Sequence, residues 1–238
     1  MKKIVCENYS ELCIAAADLF EAQLAKKPTS VFGLATGSTP IGLYEELSKR
    51  VNDGKMDFSN AKAFNLDEYY PINPTHPQSY KYFMDENLFN KVNFASTNIP
   101  NGETTNPSAE CAEYDSAIKT AGGIDLQLLG IGVNGHIGFN EPDTTYSINT
   151  NLTKLTESTL EANSRFFDDP NEQPRTALTM GFGSIFAAKH ILLLISGGNK
   201  AEVARKLFEG KIHTDVPASF LLLHPNVTLI IDKDANGN

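Results

Sequence analysis

At 238 residues, 41% of them hydrophobic and 21% charged, the chain is long enough for one large domain or two small ones and has a globular profile without biased tracts. Its formal net charge of -9 argues against a broad nucleic-acid surface, which needs clustered Lys and Arg, although a small anion needs only two or three donors. Three cysteines without CxxC spacing, no apolar run near the ~20 residues of a membrane span, and an N-terminus that turns polar after Ile4 and Val5 predict free thiols, no membrane partner and a cytoplasmic location.

Taken in chain order, the pattern predicts a helix over 10–26, a strand over 30–35, a helix over 40–51 and a strand over 61–66. Helices over 78–89 and 108–121 follow, then a strand over 124–131. After an irregular stretch over 141–174 come a strand over 190–196, a helix over 200–209 and a last strand over 227–232. The strands are nearly continuously apolar, as parallel strands covered on both faces should be. Alternating β and α elements predict a single-domain α/β fold: a doubly wound, mostly parallel, Rossmann-like sheet with helices on both faces. The polar stretch over about 151–174, which carries Pro170 and Pro174, reads as a lid or binding loop. In such sheets ligands bind outside the carboxyl ends of the strands, so chemistry is sought there.

The first predicted strand runs into Thr36-Gly37-Ser38-Thr39-Pro40. Ser38 or Thr39 can cap the next helix, and its free N–H groups and dipole make an anion site; the same residues also suit a plain capped helix. The second ends in Asn65-Leu66-Asp67-Glu68. Those adjacent carboxylates are candidates for proton transfer, or for a cap or solvated turn. The third enters Gly130-Ile131-Gly132-Val133-Asn134-Gly135-His136-Ile137-Gly138-Phe139-Asn140-Glu141-Pro142. Its opening matches the dinucleotide fingerprint G-x-G-x-x-G, but more Gly, Asn and Pro follow where a helix should start, and no acidic strand end lies about 20 residues on. The glycines instead suggest backbone close to a ligand. His136 and Glu141 share the loop, where a carboxylate can orient an imidazole; a structural histidine in a turn is the other reading. The fourth ends in Ser196-Gly197-Gly198-Asn199-Lys200, where Lys200 can meet a phosphate or simply face solvent. Arg165 is a possible second cation. Histidines and cysteines show no metal-ligand spacing, and no G-x-S-x-G elbow is present. The expected ligand is a small sugar phosphate, with no metal, no cofactor and no nucleic acid.

The segments LATGSTPIGLYEEL, FNLDEYY, SYKYFMDENLF, LLGIGVNGHIGFNEP, ALTMGFGSI and VPASFLLLHPNVTLIID resemble the glucosamine-6-phosphate deaminase family across essentially the whole chain. The specific part is GHIGFNEP together with NLDEYY. The related 6-phosphogluconolactonases share the fold and a GSTP-like loop but carry a GHTASLFP-like ending, so a lactonase-like hydrolase is the alternative. The resemblance implies a cofactor-independent conversion of glucosamine 6-phosphate to fructose 6-phosphate and ammonia. It puts His136, held by Glu141, at ring opening and Asp67 at the proton shuttle between C2 and C1. It also puts Gly37, Ser38, Thr39, Arg165 and Lys200 at the phosphate, and backbone around Gly132 at the sugar. Some members have Asp where this chain has Asn134, whose amide can bond the imidazole or the sugar but cannot stabilise an imidazolium by charge. Longer members are allosteric hexamers controlled by N-acetylglucosamine 6-phosphate. This chain stops at Asn238, so simple hyperbolic kinetics is expected. A sugar-phosphate sensor of transcription is disfavoured, because the residues before the first predicted strand leave room for one helix and no basic recognition helix is present. The residues leave monomer or homo-oligomer undecided.

Overall fold

Apolar strand runs and amphipathic helices alternate from the first residues onward in the computed structural model, which describes residues 1–164, 167 and 172–237. In chain order these are β1 (Lys2–Cys6), α1 (Tyr9–Lys26), β2 (Val31–Leu34), α2 (Ile41–Asn52), β3 (Lys62–Asn65), β4 (Asp67–Tyr70) and α3 (Tyr80–Met84), which continues into a π-helical turn over Asp85–Phe89. Next come β5 (Ser96–Asn98), α4 (Pro107–Thr120), β6 (Leu126–Leu129), β7 (Asn151–Lys154), α5 (Glu157–Ser164), β8 (Thr176–Thr179) and α6 (Phe182–Phe186). The chain ends with β9 (Ile191–Ile195), a 3-10 turn over Gly198–Lys200, α7 (Ala201–Phe208), a second 3-10 segment over Pro217–Leu223, β10 (Val227–Asp232) and α8 (Lys233–Asn236).

Seven strands form one parallel sheet in the order β1-β10-β9-β6-β2-β3-β5. After β2 the chain builds towards one edge through β3 and β5. It then returns to the other side of β2 with β6 and builds the opposite way through β9 and β10. Right-handed crossovers running in opposite directions put helices on both faces of the sheet, as its apolar strands require. β2, β6, β9 and β10 are buried at every position. The core on one face centres on Phe20, Phe32 and Phe58; Phe20 and Phe32 stack with centroids 5.0 Å apart. Each such fully buried side chain contributes roughly 1.5–3 kcal/mol.

Several expectations are corrected. The residues ahead of the first predicted strand hold a strand as well as a helix, because β1 pairs in parallel with β10. Glu141 to Pro174 is not wholly irregular: it carries β7 and α5. The helix expected over 78–89 is α-helical only to Met84. A second, antiparallel sheet in the order β4-β8-β7 was not foreseen. It covers a separate apolar cluster of Tyr69, Ile72, Phe139, Leu155, Leu160, Phe167 and Ala177.

Candidate active site

β2 and β6 are neighbours from which the sheet is built in opposite directions, so the crevice outside their carboxyl ends is the topological switch point, where open α/β sheets bind ligands. The adjacent strands β9, β6, β2 and β3 are all parallel. The segments that follow them, bearing Lys200, His136, Ser38 and Asp67 respectively, therefore emerge along one edge of the sheet.

Asp67 and Glu68 do not sit in a turn. They open β4, where Asp67 pairs with Thr179 and Glu68 with Leu178. Strand alternation sends the two side chains to opposite faces. Glu68 is consumed structurally: its carboxylate accepts from the backbone N–H of Tyr69 at 2.9 Å, of Tyr80 at 2.8 Å and of Lys81 at 2.8 Å. It thus anchors the first turn of α3 to β4. Burial raises its pKa to about 7 against the pull of those donors. Asp67 is 5% exposed, and no donor among the described residues holds its carboxylate. Burial, and then the charge of Glu68, pushes its pKa up to about 8. An unpaired, desolvated carboxylate poised near neutral pH is suited to taking and returning a proton.

The glycine-rich loop that carries the histidine packs against this carboxylate. Gly138 has φ +58°, and a Cβ there would lie 3.0 Å from Thr179 Oγ1 and 3.4 Å from Asp67 Oδ2, so the loop backbone rests on the Asp67–Thr179 pair. Thr179 Oγ1 also accepts the Phe139 N–H at 3.1 Å. The loop closes on itself through Gly132 N–H to His136 O and Gly135 N–H to Gly132 O, both at 2.9 Å. A Cβ on Gly132 would meet the His136 ring at 2.3 to 2.6 Å. This glycine is therefore required by the imidazole that packs on it, a closer cause than the approach of a ligand.

His136 Nδ1 lies 3.3 Å from Glu141 Oε2, near enough for attraction but not aligned for a hydrogen bond. The aligned approach to Oε2 belongs to the Asn134 amide, which donates at 2.7 Å. Asn134 Oδ1 accepts the His136 backbone N–H at 3.2 Å. The amide thus holds the carboxylate and the loop backbone and makes no hydrogen bond to the imidazole, one of its two expected partners. Glu141 Oε1 accepts from the Thr159 hydroxyl. Burial works to raise the Glu141 pKa, but His136, Thr159 and Asn134 together lower it to about 2. It stays ionised beside the ring at any working pH.

Ser38 and Thr39 do not cap α2. The helix starts after Pro40 with no side-chain cap, and the hydroxyls of both residues are unbonded among the described residues. Gly37 precedes them at φ +94°. Lys200 closes the 3-10 turn before α7; it has no carboxylate within 4 Å among the described residues, and burial lowers its pKa. Arg165 lies outside the described residues. Sequence reasoning gave no role to Thr159, in an element that carries no motif, or to Thr179, within ALTMGFGSI; their hydroxyls hold Glu141 and the histidine loop. A cavity of about 430 Å³ is lined by Glu68, Lys81, Glu110 and Tyr114 and includes none of Asp67, His136, Ser38 or Lys200. It lies on the Glu68 side of β4, away from the unpaired carboxylate.

The family model for glucosamine-6-phosphate isomerases/6-phosphogluconolactonase matches residues 7–230. A glucosamine-6-phosphate deaminase of Thermoanaerobacter pseudethanolicus is 52% identical over 237 residues, covering 99% of this chain and 94% of its own length. One of Clostridium perfringens is 50% identical with 99% and 98% covered. The solved structure of a monomeric glucosamine-6-phosphate deaminase superposes with a TM-score of 0.96 at 43% identity, covering 100% of this chain and 99% of that one. A 6-phosphogluconolactonase from Trypanosoma brucei, at 18% identity and TM-score 0.75 over 100% and 98% of the two chains, shares the fold. With its strand-end site on that shared scaffold, the chain belongs to the glucosamine-6-phosphate isomerase/6-phosphogluconolactonase family.

Proposed function

We propose that this chain is a glucosamine-6-phosphate deaminase. The observation that carries the reading is Asp67: a buried carboxylate with no hydrogen-bond donor among the described residues, seated against the histidine loop. Moving a proton between two carbons needs a base that takes the proton and gives it back, and a buried carboxylate with a pKa near neutral is suited to both steps. In this reading His136, with the ionised Glu141 beside it, moves the proton that opens the pyranose ring. Asp67 then takes the proton from C2 of the open-chain aldehyde, giving an enolamine, and returns it to C1. The resulting C2 imine takes up water and releases ammonia, leaving fructose 6-phosphate. Ser38, Thr39, Lys200 and Arg165 hold the phosphate, and the segment over about 151–174 acts as the lid. We place the enzyme in the cytoplasm, where its three unpaired cysteines and a phosphorylated substrate belong.

Purified, EDTA-treated protein should release ammonia and fructose 6-phosphate in equal amounts from glucosamine 6-phosphate and leave 6-phosphogluconolactone intact. Lactone hydrolysis without ammonia release, in folded protein, would overturn the assignment in favour of the related branch of the family.

A further inference from the structure

The loop of Ser38 and Thr39 is held by a residue from another helix. α2 has twelve residues and an unassisted start: Pro40 occupies the cap position, and no side chain of the loop reaches the first-turn N–H groups. The group that does is Tyr9, in the first turn of α1. Its hydroxyl accepts the Gly42 N–H at 2.9 Å, donates to Thr39 O at 2.9 Å and lies 3.3 Å from Ser38 O. Gly42 makes room for this contact. A Cβ there would fall 3.0 Å from the Tyr9 hydroxyl and 2.8 Å from Cys13 Sγ, which explains a glycine inside a helix, where it is disfavoured by about 1 kcal/mol relative to alanine. Because Tyr9 serves the orphan N–H of α2, the hydroxyls of Ser38 and Thr39 stay uncommitted.

We propose that Tyr9 is a positioning residue for phosphate binding, fixing the backbone of Ser38 and Thr39 so that their hydroxyls and the N-terminus of α2 face the anion together. The inference rests on the reading of that loop as the phosphate site. Burial raises the Tyr9 pKa to about 12, so the hydroxyl remains a donor throughout the working pH range. Losing one neutral hydrogen-bonded tie should weaken binding about threefold to tenfold, and chemistry at the distant C1–C2 end should be little affected.

The test measures KM and kcat with glucosamine 6-phosphate, together with the Kd of glucitol 6-phosphate, a phosphorylated sugar alcohol that cannot react, by calorimetry. Tyr9→Phe should raise KM and Kd about threefold to tenfold while kcat stays within about twofold. Gly42→Ala, which pushes the hydroxyl away without removing it, should do the same and carries the test if Tyr9→Phe does not fold. Ser38→Ala is the companion variant. If it weakens Kd while both Tyr9→Phe and Gly42→Ala bind as wild type, the Tyr9 role is overturned and the phosphate site stands. If Ser38→Ala itself binds normally, the phosphate-site reading falls and the inference with it. A drop in kcat at unchanged Kd in Tyr9→Phe also overturns it, since that pattern belongs to a general structural role.

Discussion

Asp67 makes a prediction in which catalysis and stability pull in opposite directions. In the folded protein its pKa is raised from 3.8 to about 8, first by burial and then by Glu68. A raised carboxylate pKa means that the folded state prefers the neutral form. Its contribution to stability is therefore present below about pH 4 and is lost as pH rises through 8. The full shift corresponds to about 6 kcal/mol at 1.36 kcal/mol per unit. Solvent entering the cleft and local relaxation reduce this to on the order of 2 kcal/mol. Asp67→Asn keeps the shape of the side chain and cannot ionise, so its stability relative to wild type should be least favourable near pH 4 and should rise steadily as pH increases towards 8. At pH 9 it should be more stable by about 2 kcal/mol, or about 4–8 °C in Tm for a chain of this size. The same variant should lose nearly all turnover, because the base is gone, yet still bind glucitol 6-phosphate. The assay is a series of thermal melts of both proteins from pH 5 to 9. A difference in Tm that stays flat across that range would refute the buried, unpaired carboxylate, and with it the physical basis for a base poised near neutrality.

Glu141 has the opposite sign. Its pKa is lowered from 4.5 to about 2, so its contribution is present above pH 4.5 and lost as pH falls towards 2; Glu141→Gln should melt below wild type at pH 7, by up to about 3 kcal/mol, and the gap should close in acid melts. Gly132→Ala drives a Cβ into the His136 ring and should lower kcat/KM about 100-fold with little change in circular dichroism; near-normal activity would show that the ring is not held there. Asn134→Asp replaces the amide donating to Glu141 with a second carboxylate and should move the acidic limb of the kcat–pH profile upward by about one unit, a shift that a pH–rate series would detect. Thr159→Val removes the hydroxyl on Glu141 Oε1 and should raise the same limb by a smaller amount while leaving the Kd of glucitol 6-phosphate unchanged.

The main sheet was legible because β2, β6, β9 and β10 are buried on both faces and announce themselves as continuous apolar runs. β1 and β5 are edge strands paired on one side only. Exposed lysines in Lys2–Cys6 and the three polar residues Ser96–Asn98 blur their signal. The small sheet was hidden for another reason: β4, β7 and β8 are each four residues long, and their pairing is entirely non-local, joining Asp67 to Thr179 across more than 100 residues. Strand-end logic located Asp67, His136, Ser38 and Lys200 because topology alone decides which ends of parallel strands share an edge. It could not find Thr159 or Tyr9, whose hydroxyls reach the site only through tertiary packing. The readable trace of Tyr9 was Gly42, a helix-breaking residue in a first turn, where only close packing justifies its presence.

The dipeptide Asp67-Glu68 shows how a strand can separate chemistry from architecture. Two carboxylates side by side in a turn would share solvent and neither would be distinctive. Placed at the start of β4 they are divided by the pleat. Glu68 receives three backbone N–H groups and binds α3 to the small sheet, while Asp67 receives none among the described residues and meets the histidine loop instead. The negative charge next door helps to raise Asp67, so the anchor also tunes the base. Replacing Glu68 with Gln should therefore weaken the fold by releasing N–H groups of α3, and should also lower the pKa of Asp67 by removing that charge. Loss of stability with an unmoved pH–rate profile would separate these two roles and leave Glu68 as an anchor alone.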